Sequence, residues 1–318
     1  MKAATRRKYS QPSGIEIRNM NTPNPSDNEI LVKVYATTVN RTDCANLMAK
    51  PFLMRFVLGF FKPKKIILGT DFAGEVVTTG KHVKSFSVGD RVLSFKDTGL
   101  SSQAEYLTIS ETDAHQIPAA IGYKQAVASL EGAHYAYSFI HKTKIESGQH
   151  ILINGATGAI GSALLQFVKQ YDVHISATCS TENIELIKSL GADKVYDYTA
   201  EDFTKSGKKY DHIFDAVGKS TYGLCKPILK KKGTYTSSEL GPYAQNLFYS
   251  IILSKKVIFP VPDKIEKTIP YVICLLRERK FKPLIDRTYG LSDIINAYDY
   301  VLSGRKLGNV ILDLSSTN

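Results

Sequence analysis

Three glycines at three-residue spacing, Gly155, Gly158 and Gly161, separate an apolar run from a helical pattern, and this is the stretch whose residue types most directly imply chemistry. The segment Ala156-Thr157-Gly158-Ala159-Ile160-Gly161, preceded by Gly155, reads as G-x-G-x-x-G with alanine in its first place. A dinucleotide pyrophosphate makes three demands: a tight strand-to-helix turn, backbone that can approach the phosphates, and a helix packed hard on its sheet. The helix that follows also offers unpaired N–H groups and the positive end of its dipole.

The elements needed to position such a turn are present. Ile151-Leu152-Ile153 is the continuous apolar run expected of a parallel strand covered on both faces. Ala163, Leu164, Phe167 and Val168 continue at helical spacing, and His174-Ile175-Ser176-Ala177-Thr178 supplies a second strand, completing a βαβ unit.

Alternation of helix and strand then persists, with helices predicted over 124–141 and 183–190 and strands over 151–154, 174–178, 194–196, 212–217, 233–238 and 256–260. The implied architecture is an α/β, doubly wound parallel sheet over residues 119–261. Residues 1–118 read instead as strands and turns, including the alternating run Glu29-Ile30-Leu31-Val32-Lys33-Val34-Tyr35. After Pro260-Val261-Pro262 come a helix (265–279), a strand (284–288), a helix (292–303) and a strand (309–314). This tail, 262–318, is expected to complete the first, β-rich domain.

Composition bounds the rest. A chain of 318 residues, 43% hydrophobic and 22% charged, is long enough for two cores. The net charge of +11 comes from short scattered clusters such as Arg6-Arg7-Lys8 and Lys230-Lys231-Lys232. That is a solvated basic surface rather than a nucleic-acid stripe. Cys44, Cys179, Cys225 and Cys274 form no C-x-x-C pair, which fits a reducing, cytoplasmic setting. No apolar core follows the basic start MKAATRRKYS, arguing against a secretory signal. The most apolar stretch, 52–61, is too short to span a bilayer, so no membrane partner is expected; it reads as a buried helix or a lid over an apolar pocket.

Several motifs in order give the chain a resemblance to the medium-chain dehydrogenase/reductase superfamily, specifically the zinc-free quinone oxidoreductase branch that holds zeta-crystallin and the reticulon-interacting oxidoreductases. They are MKAA at the start, ILVKVYATTVNRTD at 30–43, GTDFAGEVVTTGKHVKSFSVGDRV at 69–92, NGATGAIG at 154–161, SLGADKVYDY at 189–198 and FDAVGKS at 214–220. The resemblance implies a GroES-like catalytic domain beside a Rossmann domain, and a homodimer formed through the nucleotide-binding domains. It places Asn40 where zinc-using members have a cysteine, and Gly69-Thr70-Asp71 where they have Gly-His-Glu, so no catalytic zinc is expected.

The same resemblance suggests site residues. Gly155, Ala156, Thr157, Gly158, Ala159, Ile160 and Gly161 would hold the pyrophosphate. Ser180, Asn183 and Tyr198 would face the adenosine ribose, and because no acidic residue stands in the second strand's end before Glu182, NADPH is favoured over NADH. Val217 and Gly218 would run beside the nicotinamide ribose, with Thr236-Ser237-Ser238 and Asn309 near the nicotinamide. Asn40 and Tyr135 are the catalytic candidates, Asn40 orienting substrate or nicotinamide by its amide. Of the histidines, His134 and His212 are worth testing against a packed role. The function implied is NADPH-dependent reduction of quinones or α,β-unsaturated carbonyl compounds. A metal-free alcohol dehydrogenase and a non-catalytic NADPH-binding protein are the alternatives.

Overall fold

The computed structural model describes residues 1–237, 241, 245–254, 256–259 and 264–315. The chain forms two units. One comprises Met1–Glu131, Ile269–Ile273 and Ile285–Asn318, the other Gly132–Thr268 and Cys274–Leu284.

The first unit begins with β1 (Lys2–Thr5) and β2 (Glu16–Asn19), an antiparallel pair. Then follow β3 (Glu29–Val39), α1 (Arg41–Met48), α2 (Met54–Leu58), β4 (Asp71–Thr79), β5 (Arg91–Phe95), β6 (Tyr106–Ser110), β7 (His115–Gln116) and α3 (Tyr123–Ala128). β3 is the organising strand, eleven residues long with inward Ile30, Val32 and Val34 in the core. β4 pairs along one of its edges and β6 along Glu29–Lys33 of the other.

The second unit holds α4 (Glu131–His141), whose first residue still belongs to the first unit. β8 (His150–Asn154), α5 (Ala159–Val168), β9 (His174–Cys179), α6 (Ile184–Leu190), β10 (Lys194–Asp197), β11 (Tyr210–Asp215), α7 (Tyr222–Cys225), β12 (Leu229–Ser237), α8 (Gln245–Ile252) and β13 (Val257–Ile258) follow. The six strands lie in the order β10-β9-β8-β11-β12-β13, every pairing parallel. This is the doubly wound order, reversing direction beside β8. Ile151, Leu152 and Ile153 are fully buried, as strands covered on both faces require.

α9 (Ile265–Arg277) is divided between the units, and β14 (Ile285–Gly290), α10 (Ile294–Leu302) and β15 (Asn309–Asp313) return to the first. β15 pairs antiparallel with β3, Val310 opposite Val39, and parallel with β14. Within the expected tail, β14, α10 and β15 belong to the β-rich unit, whereas Cys274–Leu284 belong to the second.

Two details depart from the sequence pattern. The helix expected over 124–141 is broken, because the Ser129 hydroxyl donates to the Ala126 carbonyl at 2.6 Å and closes α3 early. The unit boundary falls after Glu131 rather than near 118, because α3 is fastened to the first unit. Tyr123 stacks on Tyr35 at 4.6 Å, the Arg91 guanidinium lies 4.5 Å over the Tyr123 ring, and Lys124 pairs with Asp313 at 2.6 Å. The expected break at Pro260-Val261-Pro262 lies outside the described residues.

Candidate nucleotide-binding and active site

The parallel sheet brings most of the predicted cofactor residues to one edge. β8, β9, β10, β11 and β12 end at Asn154, Cys179, Asp197, Asp215 and Ser237, so Gly155, Ser180, Tyr198, Val217, Gly218 and Ser237 all stand at its carboxyl end. Ser238 lies outside the described residues.

The three glycines differ in what confines them. Gly155 has φ +80°, and a Cβ there would lie 2.7 Å from the Cβ of Val217. A Cβ on Gly161 would lie 2.1 Å from the Gly155 carbonyl oxygen and 2.9 Å from the Ala156 Cα. Gly158 is open, its added Cβ meeting only the Gly155 oxygen at 3.7 Å. Gly155 and Gly161 are thus fixed by packing, whereas protein packing does not account for glycine at 158. Gly158 is the N-cap of α5 with φ −70°, and the Ser162 amide donates back to its carbonyl at 2.9 Å. The amides of Ala159, Ile160 and Gly161 begin the helix without an acceptor one turn earlier. Gly132 of α4 also approaches this turn, where a Cβ would meet Ala159 at 2.7–2.8 Å.

A buried polar chain behind the turn holds the edge in register. The Gly155 amide donates to Thr178 Oγ1 at 2.9 Å, and that hydroxyl donates to Asn154 Oδ1 at 2.7 Å. Asn154 Nδ2 donates to Asp215 Oδ1 at 3.0 Å. Asp215, fully buried, also accepts from the Gly218 amide (2.9 Å), the Ser220 amide (3.1 Å) and the Tyr235 hydroxyl (2.8 Å). Burial and the Asp215 charge push the Tyr235 hydroxyl far above its ordinary value, keeping it a donor. Sequence reasoning placed Asp215 at a strand end but missed Asn154, Thr178 and Tyr235. For Asn154 the available signal was a polar residue closing an apolar strand; Thr178 and Tyr235 lie inside β9 and β12.

The loop after β9, expected to face the adenosine ribose, has a partner the sequence pattern did not assign. Ser180 Oγ donates to Glu182 Oε1 at 2.6 Å, and Asn183 Nδ2 donates to Ser180 Oγ at 2.9 Å and to Glu182 Oε1 at 3.2 Å. A carboxylate therefore sits on the serine proposed to meet a phosphate. The Ser180 bond lowers the Glu182 pKa, so it is charged at neutral pH. Tyr198 is largely exposed, its amide donating to the Cys179 carbonyl at 3.1 Å.

Asn40 and Asn309 belong to the first unit and are neighbours there, flanking the paired residues Val39 and Val310. Asn40 is 3% exposed and caps α1 in a reciprocal box with Asp43. Its Nδ2 donates to Thr70 Oγ1 (2.9 Å) and Thr38 Oγ1 (3.1 Å), and its Oδ1 accepts the Asp43 amide (2.7 Å). Its amide thus holds neighbouring side chains in place. Thr38 in turn gives its amide (2.7 Å) and hydroxyl (2.6 Å) to Asp71.

Burial pushes Asp71 up to about 6, against the pull of these donors. Burial and the Asp71 charge raise Asp43 well above its ordinary value. Nearby Glu131 accepts from Thr42 Oγ1 at 3.1 Å and is pushed up by burial to about 7, while burial lowers the Lys306 ammonium.

Tyr135 lies in α4 of the second unit, its ring 5.4 Å from that of His134. His134 is buried with Nδ1 3.2 Å from Thr268 Oγ1. His212 packs within the sheet between Thr234 Oγ1 (2.8 Å) and Gln149 Oε1 (3.1 Å), away from the carboxyl edge. Both histidines have packed, hydrogen-bonded positions.

Comparison with known proteins agrees with this geometry. The family described as alcohol dehydrogenase GroES-like domain matches residues 26–145, and that described as zinc-binding dehydrogenase matches 190–312. The chain is 33% identical over 311 residues to a chloroplastic quinone-oxidoreductase homolog of Spinacia oleracea, covering 92% of this chain and 91% of the relative. It is 28% identical to a chloroplastic NADPH-dependent alkenal/one oxidoreductase of Arabidopsis thaliana, covering 96% and 78%. Among solved structures, the quinone oxidoreductase of Coxiella burnetii superposes with TM-score 0.87 at 23% identity, covering 99% of each chain.

Proposed function

This chain belongs to the medium-chain dehydrogenase/reductase superfamily, in its quinone oxidoreductase branch, and from that membership we propose that it is an NADPH-dependent reductase of quinones and α,β-unsaturated carbonyl compounds. The observation that carries the reading is Gly158. Its neighbours leave room for a side chain, yet it caps a helix whose first amides lack acceptors, as a pyrophosphate cradle requires.

Bound there, the reduced nicotinamide supplies a hydride for an electron-poor carbon, and the matching proton comes from solvent or a weak acid. The chain's own part is positioning. The backbone of Gly158 to Gly161 would hold the pyrophosphate. Val217 and Gly218 would line the nicotinamide ribose, with Ser237 and Tyr135 toward the ring. Asn40 would act indirectly, by fixing the Thr38, Thr70 and Asp71 side chains. Ser180, Asn183 and Tyr198 would receive the 2′-phosphate. Glu182 on Ser180 would oppose it, so NADPH is preferred over NADH by a reduced margin.

The reading is metal-free. Zinc needs three nitrogen, sulfur or carboxylate ligands and an open position, whereas this neighbourhood offers Asn40, Thr70 and Asp71 tied to one another and a Cys44 thiol that burial pushes up to about 12. These residues do not fit the ion. The free cysteines, three of them buried, support a reducing, cytoplasmic setting.

The test is NADPH oxidation followed against a panel of quinones, alkenals and enones, with and without a chelator. Turnover unaffected by the chelator is expected. A flat trace across the panel would reduce the protein to a cofactor binder, and activity lost to chelator and restored by zinc would overturn the metal-free reading.

A further inference from the structure

The stretch 52–61, whose composition reads as a buried helix or a lid over an apolar pocket, is the most exposed apolar surface among the described residues of the first unit. Phe61 is 92% exposed and Leu53 70%, with Phe52, Phe56 and Val57 each more than half exposed. The patch is built rather than frayed. Leu58 is buried beneath it, the Tyr9 hydroxyl donates to the Gly59 carbonyl at 2.6 Å, and the Lys64 amide closes on the Leu58 carbonyl at 2.8 Å. The Arg55 guanidinium lies 5.0 Å over Tyr9 and 5.4 Å over Phe52, and Phe60 meets Phe61 edge-on at 5.1 Å.

Its charge is one-sided. Between Cys44 and Thr70 the chain has five cations, Lys50, Arg55, Lys62, Lys64 and Lys65, and no aspartate or glutamate. Lys62, Lys64 and Lys65 are exposed beside the aromatics. Two copies of this surface would bring like charges together, which disfavours self-association. Aromatic and aliphatic side chains rimmed by lysines match a headgroup–acyl boundary carrying negative charge.

We propose that residues 50–66 dock the protein on an anionic phospholipid bilayer, with the phenylalanines and Leu53 in the interface and the lysines on the headgroups. The attachment is peripheral, since among the described residues no helix is long and apolar enough to cross a membrane.

Co-sedimentation of the full chain with phosphatidylcholine vesicles, with and without phosphatidylserine, tests this. Binding to the mixed vesicles, weakened by salt, is expected, with little to phosphatidylcholine alone. At about 1 kcal/mol per lysine, or roughly fivefold each, Lys62→Glu with Lys64→Glu and Lys65→Glu should weaken it by at least about a hundredfold. Phe56→Ser with Phe61→Ser should weaken it too, with circular dichroism and melting temperature confirming that both variants fold. No binding to either vesicle overturns the proposal, as does binding insensitive to either set of substitutions. Concentration-dependent self-association abolished by the phenylalanine variant, without vesicle binding, would assign the patch to a second copy instead.

Discussion

Gly161 fits against Gly155 so closely that one added carbon would sit 2.1 Å from the Gly155 carbonyl oxygen, whereas the same carbon on Gly158 has clear space. The two positions should therefore fail differently. Gly158→Val is expected to keep its fold and lose NADPH binding. Gly161→Ala should cost about 1–3 kcal/mol or more by overpacking. Fluorescence titration with NADPH beside thermal melts separates them, and normal affinity in Gly158→Val would mean that the phosphate cradle lies elsewhere.

On the proposed cofactor placement, the Ser180–Glu182 bond would make cofactor choice depend on one carboxylate. Removing that charge with Glu182→Gln should widen the preference for NADPH. Asn183→Lys should widen it too, whereas Ser180→Asp should reverse it. Dissociation constants for both cofactors provide the check; values unmoved by all three changes would show that this loop does not face the ribose.

Stability should fall as pH rises across the neutral range. Glu131 is raised from 4.5 to about 7 and Asp71 from 3.8 to about 6, so between those limits the folded chain binds more protons than the unfolded one. The contribution is complete below the unfolded values and lost as pH climbs through the folded ones. For Glu131 the swing is roughly 3 kcal/mol. Lys306, lowered by burial, acts with the opposite sign at higher pH. Urea midpoints measured from about pH 5 to pH 8 should decline, and Glu131→Gln should flatten the upper part of the curve. A flat profile in the unmodified chain would contradict the burial of these acids.

Among the described residues β13 is the last strand at one edge of the parallel sheet, and beside it α8 exposes Leu247, Phe248, Ile251 and Ile252. An uncovered edge beside apolar residues is an association site. Sedimentation at micromolar concentration should find a homodimer, and Phe248→Glu with Ile251→Glu should yield monomer. A monomeric unmodified chain would count against this edge as the interface.

The glycine turn was legible because its constraints are local: spacing, an apolar strand before, a helix after. The Asn154–Thr178–Asp215–Tyr235 chain was not, because its members come from four strands and meet only when the parallel register aligns their ends. The Asp43, Asp71, Glu131 and Lys306 neighbourhood was hidden for the same reason, its members coming from distant segments. For residues 52–61 only the buried-helix alternative fails, because the phenylalanines face outward while Leu58 supplies the buried contact.

The pairing of β15 with β3 also bears on how the chain is made. During synthesis on the ribosome, the strands of the second unit emerge together and can fold as a contiguous block. The first unit waits for the partner of the Ala36–Val39 end of β3 until β15 has emerged. Its native pairing joins segments far apart in sequence, so loss of β15 would deprive the earlier-made domain of its closing strand.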